Sequence, residues 1–323
     1  MTDMKPMVEM HTHTFLSSCC HDENANLKTY VDKAAETGVQ VLGISDHFWD
    51  HPRMTCPDPW YQKQNLPHVM KIKEELPVDT KGMKLFFGVE TEYYGKSDLI
   101  GISAEAAKEF DYVLIPHSHT HMKKRVIDYD PILQDTEKEI ERRLREAFPE
   151  VSDRQIEKWM SQNRLPDVKA VLGREPETDL EFLADFLCKS FIGLMENEEL
   201  QKVKEVTNVF VAHPFIACGY SWQDARKATA MISDEKFKEM FTLMAEKGIG
   251  YDISVGNFDL EHPESCQMFR LIRLAKECGV KFTFGTDAHS VAGVGNAWKS
   301  TKIFELAPLT VEDLHPMYRE YVK

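Results

Sequence analysis

His11 and His13 are separated by a single residue, and they close a short apolar run near the start of the sequence. Side chains two positions apart lie on the same face of a β-strand, so both imidazoles can reach one metal ion. Histidine is the commonest metal-binding side chain in proteins. A lone His-x-His pair also occurs on ordinary protein surfaces, so a metal site is indicated only if other parts of the chain bring further ligands to it.

More residues of metal-binding type follow apolar runs of strand length elsewhere in the chain. Five such runs cover 39–44, 85–89, 112–115, 209–212 and 282–286, and they are followed by Asp46 and His47, by Glu90, by His117 and His119, by His213, and by Asp287 and His289. With the strand before His11 and another at 249–255, the sequence contains seven predicted strands, six of which end in His, Glu or Asp. The carboxyl ends of parallel strands meet on one face of a sheet or barrel. The sequence therefore predicts a metal cluster at that face.

The segments between these strands have the periodicity of helices. Apolar residues recur over 27–35 at the spacing of one helical face, after Asn26, which is typical of a helix N-cap, and before Gly38, which is typical of a helix end. The same periodicity is found over 237–245 and 268–275. A strand, a short helix and a second strand in succession imply parallel strands, because the helical crossover returns the chain to the same edge of the sheet.

The composition is that of a soluble globular protein. The chain has 323 residues, of which 42% are hydrophobic and 28% are charged, and it is long enough to bury the core of one large domain, 1–323. We find no basic segment leading into a long apolar run and no apolar stretch that would span a bilayer, so we expect a cytoplasmic protein. A formal charge of −14 argues against nucleic acid as a partner, because nucleic-acid binding draws on Lys and Arg.

Seven cysteines are scattered along the chain without a C-x-x-C pair. This pattern favours reduced thiols over a disulfide framework or a zinc site built from thiolates. Cys19 and Cys20 are adjacent, and adjacent residues of a strand point to opposite faces. We therefore expect both to be ordinary small side chains that do not join one metal site.

Residues from about 122 to 200 depart from the alternation of strands and helices. The segment is rich in Glu, Arg and Lys, and it repeats apolar residues at helical spacing over 140–148, 156–160 and 180–187. We interpret it as a helical insertion between two strands of the single domain. It serves either as a solvated structural cap or as a lid over the strand ends, where loops shape substrate pockets.

The ordered motifs of the chain resemble those of the PHP (polymerase and histidinol phosphatase) family, and within it the histidinol-phosphatase-like branch. They are His11-x-His13-Thr14, Cys20-His21, Ser45-Asp46-His47, Gly88-Val89-Glu90, the His117/His119 strand end, His213-Pro214 and Gly285-Thr286-Asp287-Ala288-His289. The motifs span both ends of the chain and its middle. The resemblance implies an α/β fold, a distorted seven-stranded (β/α)7 TIM-like barrel with a helical insertion, and two or three divalent metal ions at the carboxyl ends of the strands.

The resemblance also implies a set of ligands for each metal. One ion would be held by His11, His13, Glu90 and Asp287, a second by Glu90, His213 and either His119 or His117, and a third by His21, His47 and His289. We favour His119 over His117. Asp22 is an alternative to His21, because the gap after His13 is slightly longer than the family leads us to expect. Imidazoles and carboxylates without thiolates suit zinc, manganese or iron and do not distinguish among them.

A metal cluster of this kind predicts hydrolysis by a metal-bridging hydroxide. Cations about 3.5–4 Å apart lower the pKa of a bridging water and stabilise the charge on a phosphoryl group. The leaving alcohol needs a proton, which Asp46, Asp252 or a spare histidine such as His117 or His51 could supply. Arg125 and Arg53 are candidates for binding the phosphate of the substrate, because arginine binds phosphate through two parallel hydrogen bonds.

These features predict a metal-dependent phosphoesterase that acts on a small phosphorylated metabolite, with histidinol phosphate as the leading substrate. A nucleotide or sugar phosphate is an alternative substrate. Hydrolysis of an amide or lactone bond is an alternative reaction of the same scaffold, because the same hydroxide attacks a carbonyl carbon. A non-catalytic metal-binding protein is a third hypothesis, against which the nearly complete ligand set argues. No G-x-S-x-G elbow, P-loop or dinucleotide motif supports a different chemistry.

Overall fold

A computed structural model describes residues 6–53, 61, 63–119, 131–152, 155–156, 178–218 and 220–322. Its main sheet has seven parallel strands, whose order in the sheet follows their order in the chain. These strands are β1 Val8–Glu9, β2 Val41–His47, β3 Lys84–Glu90, β6 Tyr112–Ile115, β7 Asn208–Val211, β8 Gly250–Ser254 and β9 Phe282–Gly285, and a small antiparallel hairpin of β4 Tyr93–Tyr94 and β5 Leu99–Ile100 follows β3. All seven strands of the main sheet therefore end on the same side of the molecule.

The first and last strands of this sheet meet and nearly close it into a barrel. The backbone N–H of Met10 donates to the carbonyl of Phe284 at 2.7 Å, and that of His13 donates to the carbonyl of Ala288 at 2.8 Å. Closure of this kind removes the exposed edges that an open sheet presents. The prediction of a distorted seven-stranded barrel is confirmed.

Helices connect the strands and cover the outside of the barrel. They are α1 Leu27–Thr37, α2 Leu66–Val69, α3 Ala104–Ala107, α4 Pro131–Ala147, α5 Leu180–Glu196, α6 Glu198–Lys204, α7 Trp222–Met231, α8 Asp234–Glu246, α9 Gln267–Glu277, α10 Val291–Val294, α11 Trp298–Leu306 and α12 Pro316–Arg319. Short 3₁₀ helices cover Met70–Glu75, Gly95–Ser97, Val255–Asn257, Gly295–Ala297 and Val311–Asp313.

The ends of α1 lie where the sequence predicts them. The Asn26 side chain accepts a hydrogen bond from the backbone N–H of Thr29 at 3.0 Å, and Gly38 ends the helix in the left-handed conformation, with φ of 82°. Both devices satisfy backbone groups that a helix terminus leaves without an intrahelical partner. The helix buries Leu27, Tyr30, Val31 and Ala34, which share one face.

Strand β2 continues further than its apolar run suggests. The run covers 39–44, whereas the strand extends through Asp46 and His47 and pairs with β3 along its whole length. Every residue of β2 is buried, the polar ones included. Asp46 and His47 are therefore held by the sheet itself and do not belong to a loop that follows it.

Tyr112 fills the barrel interior beneath the strand ends. Its ring crosses from β6 over Gly88 of β3 and Gly43 of β2, and its hydroxyl donates to the carbonyl of Met10 at 2.8 Å. A Cβ atom on Gly88 would lie 2.5 Å from the ring, and one on Gly43 would lie 2.4 Å from the hydroxyl. The two glycines therefore provide the space in which this large side chain lies.

The segment between β6 and β7 carries α4, α5 and α6. Helix α5 packs against α7 and α8, and the Ser190 hydroxyl on α5 donates to the carbonyl of His117 at 2.5 Å. This contact attaches the helix to the chain at the carboxyl end of β6. Within the described part of the chain, no helix is both long enough and apolar enough to cross a membrane.

Candidate metal centre

Four side chains from three strand ends converge at the carboxyl face of the barrel. We call them the central group: His11 and His13 follow β1, Glu90 ends β3, and Asp287 follows β9. One potential ligand atom from each lies within 4.8 Å of the others. The Nε2 atom of His13 is 3.3 Å from Glu90 Oε2 and 3.1 Å from Asp287 Oδ1, and that of His11 is 3.4 Å and 3.6 Å from the same oxygens. The atoms that would bind a metal therefore face one another.

The central group fits a metal ion. The Nε2 atoms of His11 and His13 are buried and make no hydrogen bond with any described residue. A buried polar atom without a partner is costly, and a cation between the four side chains would satisfy both nitrogens. Two imidazoles and two carboxylates are a donor set that suits zinc, manganese or iron.

The charge balance of the central group also favours a cation. Burial would raise the pKa of Glu90, but the neighbouring His11 and His47 hold that pKa well below its usual range. Burial by itself would lower the pKa of His13. Asp287 and Glu90 raise that pKa by more than burial lowers it, so that it is about 9. The carboxylates of the central group are thus anionic at neutral pH, and they draw protons to the neighbouring histidines. A metal ion would compete with those protons for the histidine nitrogens.

A second group lies next to the central one and contacts it through Glu90. Its members are His119, His213 and Cys218, whose potential ligand atoms lie within 4.8 Å of one another. The Nε2 atoms of His119 and His213 are 3.3 Å apart, and Glu90 Oε1 lies 3.3 Å from the Nε2 of His213. Glu90 therefore presents Oε2 to the central group and Oε1 to the second group, as a bridging carboxylate would.

A third group lies on the other side of His13. Its members are His13, Cys19, His47 and His289, again with ligand atoms within 4.8 Å of one another. The rings of His47 and His289 each lie against that of His13, with ring centres 4.3 Å from it in each case. His13 thus joins the third group to the central group as Glu90 joins the second.

The structure does not bring His21 or Asp22 to any of these groups. His21 is exposed beside Phe15 and Glu23, and the Asp22 carboxylate accepts hydrogen bonds from the backbone N–H groups of Asn24 and Val291, at 3.0 and 2.9 Å. The loop after β1 places Cys19 among the histidines, where the sequence motif suggests His21. In this structure Cys19, and not His21, lies beside His47 and His289.

Cys19 and Cys20 do not join one group, as the sequence predicts, but the reason differs from the predicted one because the loop is not a strand. Its backbone makes tight turns, in which the N–H of Ser17 donates to Thr14 O at 3.0 Å and that of Cys20 donates to Ser17 O at 2.9 Å. Alternation of side chains between two faces applies only to extended backbone. Cys19 and Cys20 do lie apart, however: Cys20 Sγ contacts the carbonyl of His289 at 3.2 Å, and only Cys19 joins the third group.

His119 and His117 have different surroundings, although both follow β6. His119 belongs to the second group, whereas His117 Nε2 accepts a hydrogen bond from the backbone N–H of Phe215 at 3.0 Å. The rings of Phe191 and Phe215 pack against His117, and burial lowers its pKa to about 3. His117 is thus a neutral core residue, and its predicted role as a proton donor is not supported.

Buried carboxylates lie behind the histidines of the first two groups. Asp252 of β8 lies with Oδ2 at 2.8 Å from His11 Nδ1, and Glu92 lies with Oε1 at 2.8 Å from His119 Nδ1. Tyr61 donates its hydroxyl to the same Glu92 oxygen. A carboxylate that accepts the Nδ1 proton fixes the tautomer of a histidine and presents its Nε2 to a metal. Glu92 could have been predicted, because it lies two positions after Glu90.

Asp252 and Asp46, two of the predicted proton donors, also hold other parts of the centre in position. Asp252 is fully buried against His11. Asp46 accepts hydrogen bonds from the N–H and hydroxyl of Thr14, both at 2.7 Å, and from the Ser17 hydroxyl at 2.6 Å. It therefore shapes the loop that carries Cys19. The contacts of Asp252 and Asp46 show a positioning role, and their role in proton transfer stays a prediction.

Glu9 is a further buried residue of the centre, and no motif in the sequence predicts it. It lies on β1 beneath His11 and accepts hydrogen bonds from the backbone N–H groups of His11 and Thr286, at 3.1 and 2.9 Å. Complete burial raises its pKa to about 8. Glu9 therefore ties β1 to the end of β9, directly below the central group.

The predicted phosphate ligands do not lie among these groups. Arg53 pairs with Glu199 of α6, and its side chain is 63% exposed. His51, the spare histidine, lies 3.2 Å from the other oxygen of Glu199. Arg125 lies outside the described residues. The open side of the centre is instead next to β9, because Asp287 and His289 are each 34% exposed, whereas the side chains of His11, His13 and Glu90 are almost inaccessible.

Comparisons with known proteins bear on the fold. No protein-family model matches the sequence, and no curated protein sequence matches it. A histidinol phosphate phosphatase from Lactococcus lactis subsp. lactis Il1403, solved with zinc, L-histidinol and phosphate, is 14% identical, with a TM-score of 0.53 and coverage of 94% of each chain. A putative histidinol phosphatase from Listeria monocytogenes is 15% identical, with a TM-score of 0.52 and coverage of 88% of this chain and 96% of that one. The likeness shows that the three chains share a fold.

Proposed function

We propose that the protein is a metal-dependent phosphatase that hydrolyses a small phosphate monoester. The observation that carries this proposal is the set of three adjacent donor groups, joined by Glu90 and His13 at the carboxyl face of the barrel. A cluster of this size suits two or three divalent ions, and active sites of barrel enzymes lie at this face. Structural neighbours that are histidinol phosphatases give further support.

The central group would hold one ion through His11, His13, Glu90 and Asp287. His119 and His213, with the second oxygen of Glu90, would hold another, and His47 and His289 would hold a third. Divalent ions supply two kinds of chemistry when bound: they lower the pKa of a water, and they neutralise the charge of a phosphate ester. The ions are zinc, manganese or iron.

The residues of the chain itself would orient and shield the reaction. Asp252 and Glu92 fix the tautomers of His11 and His119 and so direct their Nε2 atoms into the site. Buried Tyr112 closes the barrel beneath. The substrate would approach past Asp287 and His289, the partly exposed members of the groups.

Histidinol phosphate is the leading substrate. The structural neighbour with zinc was solved with L-histidinol and phosphate, and the sequence motifs resemble the histidinol-phosphatase-like branch of the PHP family. The test is release of inorganic phosphate from histidinol phosphate, a sugar phosphate and a nucleotide monophosphate, with zinc or manganese supplied. We expect the highest kcat/KM with histidinol phosphate and no release after chelation.

A matched pair of variants distinguishes loss of the metal centre from the effect of removing any one carboxylate charge. Glu90→Gln removes the bridging charge and should abolish phosphate release, whereas Glu36→Gln changes an exposed carboxylate on α1 and should leave the rate unchanged. Lack of phosphate release from every ester by fully metal-loaded protein would overturn the proposal.

Hydrolysis of an amide or lactone bond is a second candidate function. It is favoured by the position of Arg53, one of the two predicted phosphate ligands, which pairs with Glu199 away from the three groups. The same metal chemistry attacks a carbonyl carbon. Turnover of amide or lactone substrates by protein that releases no phosphate would establish this alternative.

A further inference from the structure

The second and third groups lie on either side of the central group, and we call them the outer groups. Each contains a cysteine. The sulfur of Cys19 lies with His13, His47 and His289, and that of Cys218 lies with His119 and His213, in each case within 4.8 Å of the potential ligand atoms of the histidines. We propose that Cys19 and Cys218 bind metal as thiolates, one in each outer position. This inference rests on the metal centre of the proposed function and specifies its ligands.

The geometry around His13 leaves Cys19 as the third ligand of the third group, beside His47 and His289. His13 Nε2 faces Glu90 and Asp287, at 3.3 and 3.1 Å, so His13 would serve the central position. That nitrogen is fully buried and has no hydrogen-bond partner among the described residues. Cys19, His47 and His289 would then hold the ion of the neighbouring position. Three protein ligands and an open position are the usual arrangement of a catalytic zinc.

The tight turns after β1 hold Cys19 in this place. The Asp46 carboxylate accepts hydrogen bonds from Thr14 and from the Ser17 hydroxyl, and the same hydroxyl accepts from the backbone N–H of His47 at 3.0 Å. These hydrogen bonds therefore attach the loop to β2 at the side chain of Asp46 and at the backbone of His47. Because the loop and the histidine share these contacts, the sulfur of Cys19 and the ring of His47 are positioned together.

Cys218 is positioned by the turn that follows β7. His213 precedes it by five residues in the chain, and the N–H of Cys218 donates to the carbonyl of Ile216 at 3.0 Å. The turn folds the chain back, so that a residue beyond His213 reaches the space between His213 and His119. Two imidazoles and one sulfur thus form the second group, and Glu90 Oε1 lies beside it, at 3.3 Å from His213 Nε2.

The two sulfurs would change which metal the outer positions select. Thiolates are soft ligands that favour zinc or iron, whereas manganese and magnesium prefer oxygen. An outer position with a thiolate should therefore bind zinc in preference to manganese.

Two other cysteines provide matched controls. Cys20 is adjacent to Cys19, and its sulfur contacts the carbonyl of His289, but it belongs to neither outer group. Cys278 follows α9, and its sulfur contacts the carbonyl of Lys238 on α8, on the outside of the barrel. Replacing either by serine makes the same chemical change as in Cys19→Ser or Cys218→Ser, but outside the proposed coordination.

The experiment measures sulfur at the metal directly. X-ray absorption at the zinc edge of the zinc-loaded protein should show a sulfur shell at about 2.3 Å. The cobalt-loaded protein should show a sulfur-to-cobalt charge-transfer band in the near ultraviolet. We expect Cys19→Ser and Cys218→Ser each to remove about half of both signals, because each leaves one thiolate in place. The double variant should lose both signals, and Cys20→Ser and Cys278→Ser should retain them.

The outcomes separate this inference from the proposed function. Zinc bound without a sulfur shell, or a charge-transfer band that survives in the double variant, would overturn the thiolate ligands and leave the phosphatase proposal standing. Protein that binds no zinc or cobalt at all would overturn both. The measurement on the unsubstituted protein decides the question even if a cysteine variant does not fold.

Discussion

At the scale of single residues, the orientation of the histidines depends on carboxylates that do not face the metal positions. Asp252 lies on the far side of His11 and Glu92 on the far side of His119, each 2.8 Å from a ring Nδ1. Both carboxylates are buried, so water cannot replace them as acceptors. The Nδ1 proton is therefore held on the carboxylate side, and the Nε2 lone pair is directed into the centre.

Asp252→Asn should weaken metal binding without unfolding the protein. The amide keeps the shape of the carboxylate but loses its charge, and it can donate to Nδ1, which would favour the wrong tautomer of His11. We expect the affinity for zinc at the central position to fall about 10- to 100-fold. Competition with a chromophoric chelator measures this. Asp32→Asn, at an exposed carboxylate on α1, is the control, and equal affinities for the two variants would contradict the positioning role.

Several site residues could be predicted because strand geometry alone places them. His11, His13, Glu90 and Asp287 lie at or just beyond the ends of parallel strands, and such ends converge wherever the strands lie in the sequence. Cys19 could not be predicted in the same way, because its position depends on the tight turns of a loop. No periodicity in the sequence reports the conformation of such a loop.

At the scale of elements, the close packing of strands around Tyr112 supports the centre from below. Two neighbouring strands contribute glycines where the ring passes, and the tyrosine hydroxyl donates to the carbonyl of Met10, which lies between β1 and His11. This side chain therefore links β6 to the segment that carries the first two histidines. The apolar runs predict the strands, but they do not show which large side chain fills the barrel.

Gly88→Ala should destabilise the fold through this contact. The new Cβ would lie 2.5 Å from the Tyr112 ring, which is enclosed and cannot move aside without displacing β1. Overpacking of this kind costs about 1–3 kcal/mol in the free energy of unfolding. Gly256→Ala is the control, because nothing lies within 4 Å of its added Cβ. Denaturant unfolding of both variants measures the difference, and equal stabilities would show that the packing is not tight.

His315, which precedes α12, should make stability depend on pH. Burial and the nearby Arg319 and Lys204 lower its pKa from 6.5 to about 4, so the folded state keeps the ring neutral while the unfolded chain takes up a proton. The resulting stability is fully present above pH 6.5 and is lost as pH falls towards 4. Between pH 7 and pH 5 the loss from this residue should be about 2 kcal/mol.

The test compares His315 with asparagine at the same position. His315→Asn retains an acceptor for the backbone N–H of Met317 but cannot be protonated in this range. Denaturant unfolding at pH 7 and pH 5, with chelator present in all samples, should show a smaller loss of stability for the variant. The same loss in both proteins would mean that His315 is not the titrating group.

At the scale of the whole molecule, the barrel joins distant parts of the chain at one face. The central group combines residues near position 10 with Glu90 and Asp287, which the nearly closed sheet makes neighbours. The alternation of strands and helices is enough to predict parallel strands that end on one face, in a barrel or in an open sheet, and the barrel is implied only by the resemblance of the sequence motifs. The substrate is not predictable in the same way, because it depends on loops whose conformations the sequence pattern does not determine.

The measurement that tests the central claim most directly is an anomalous difference map from crystals grown with zinc. The account predicts three peaks at the carboxyl face: one among His11, His13, Glu90 and Asp287, one at His119 and His213, and one at His47 and His289. Two peaks that include the central position would agree with a centre of two ions. A map without a peak at the central group, from protein crystallised with excess zinc, would contradict the account.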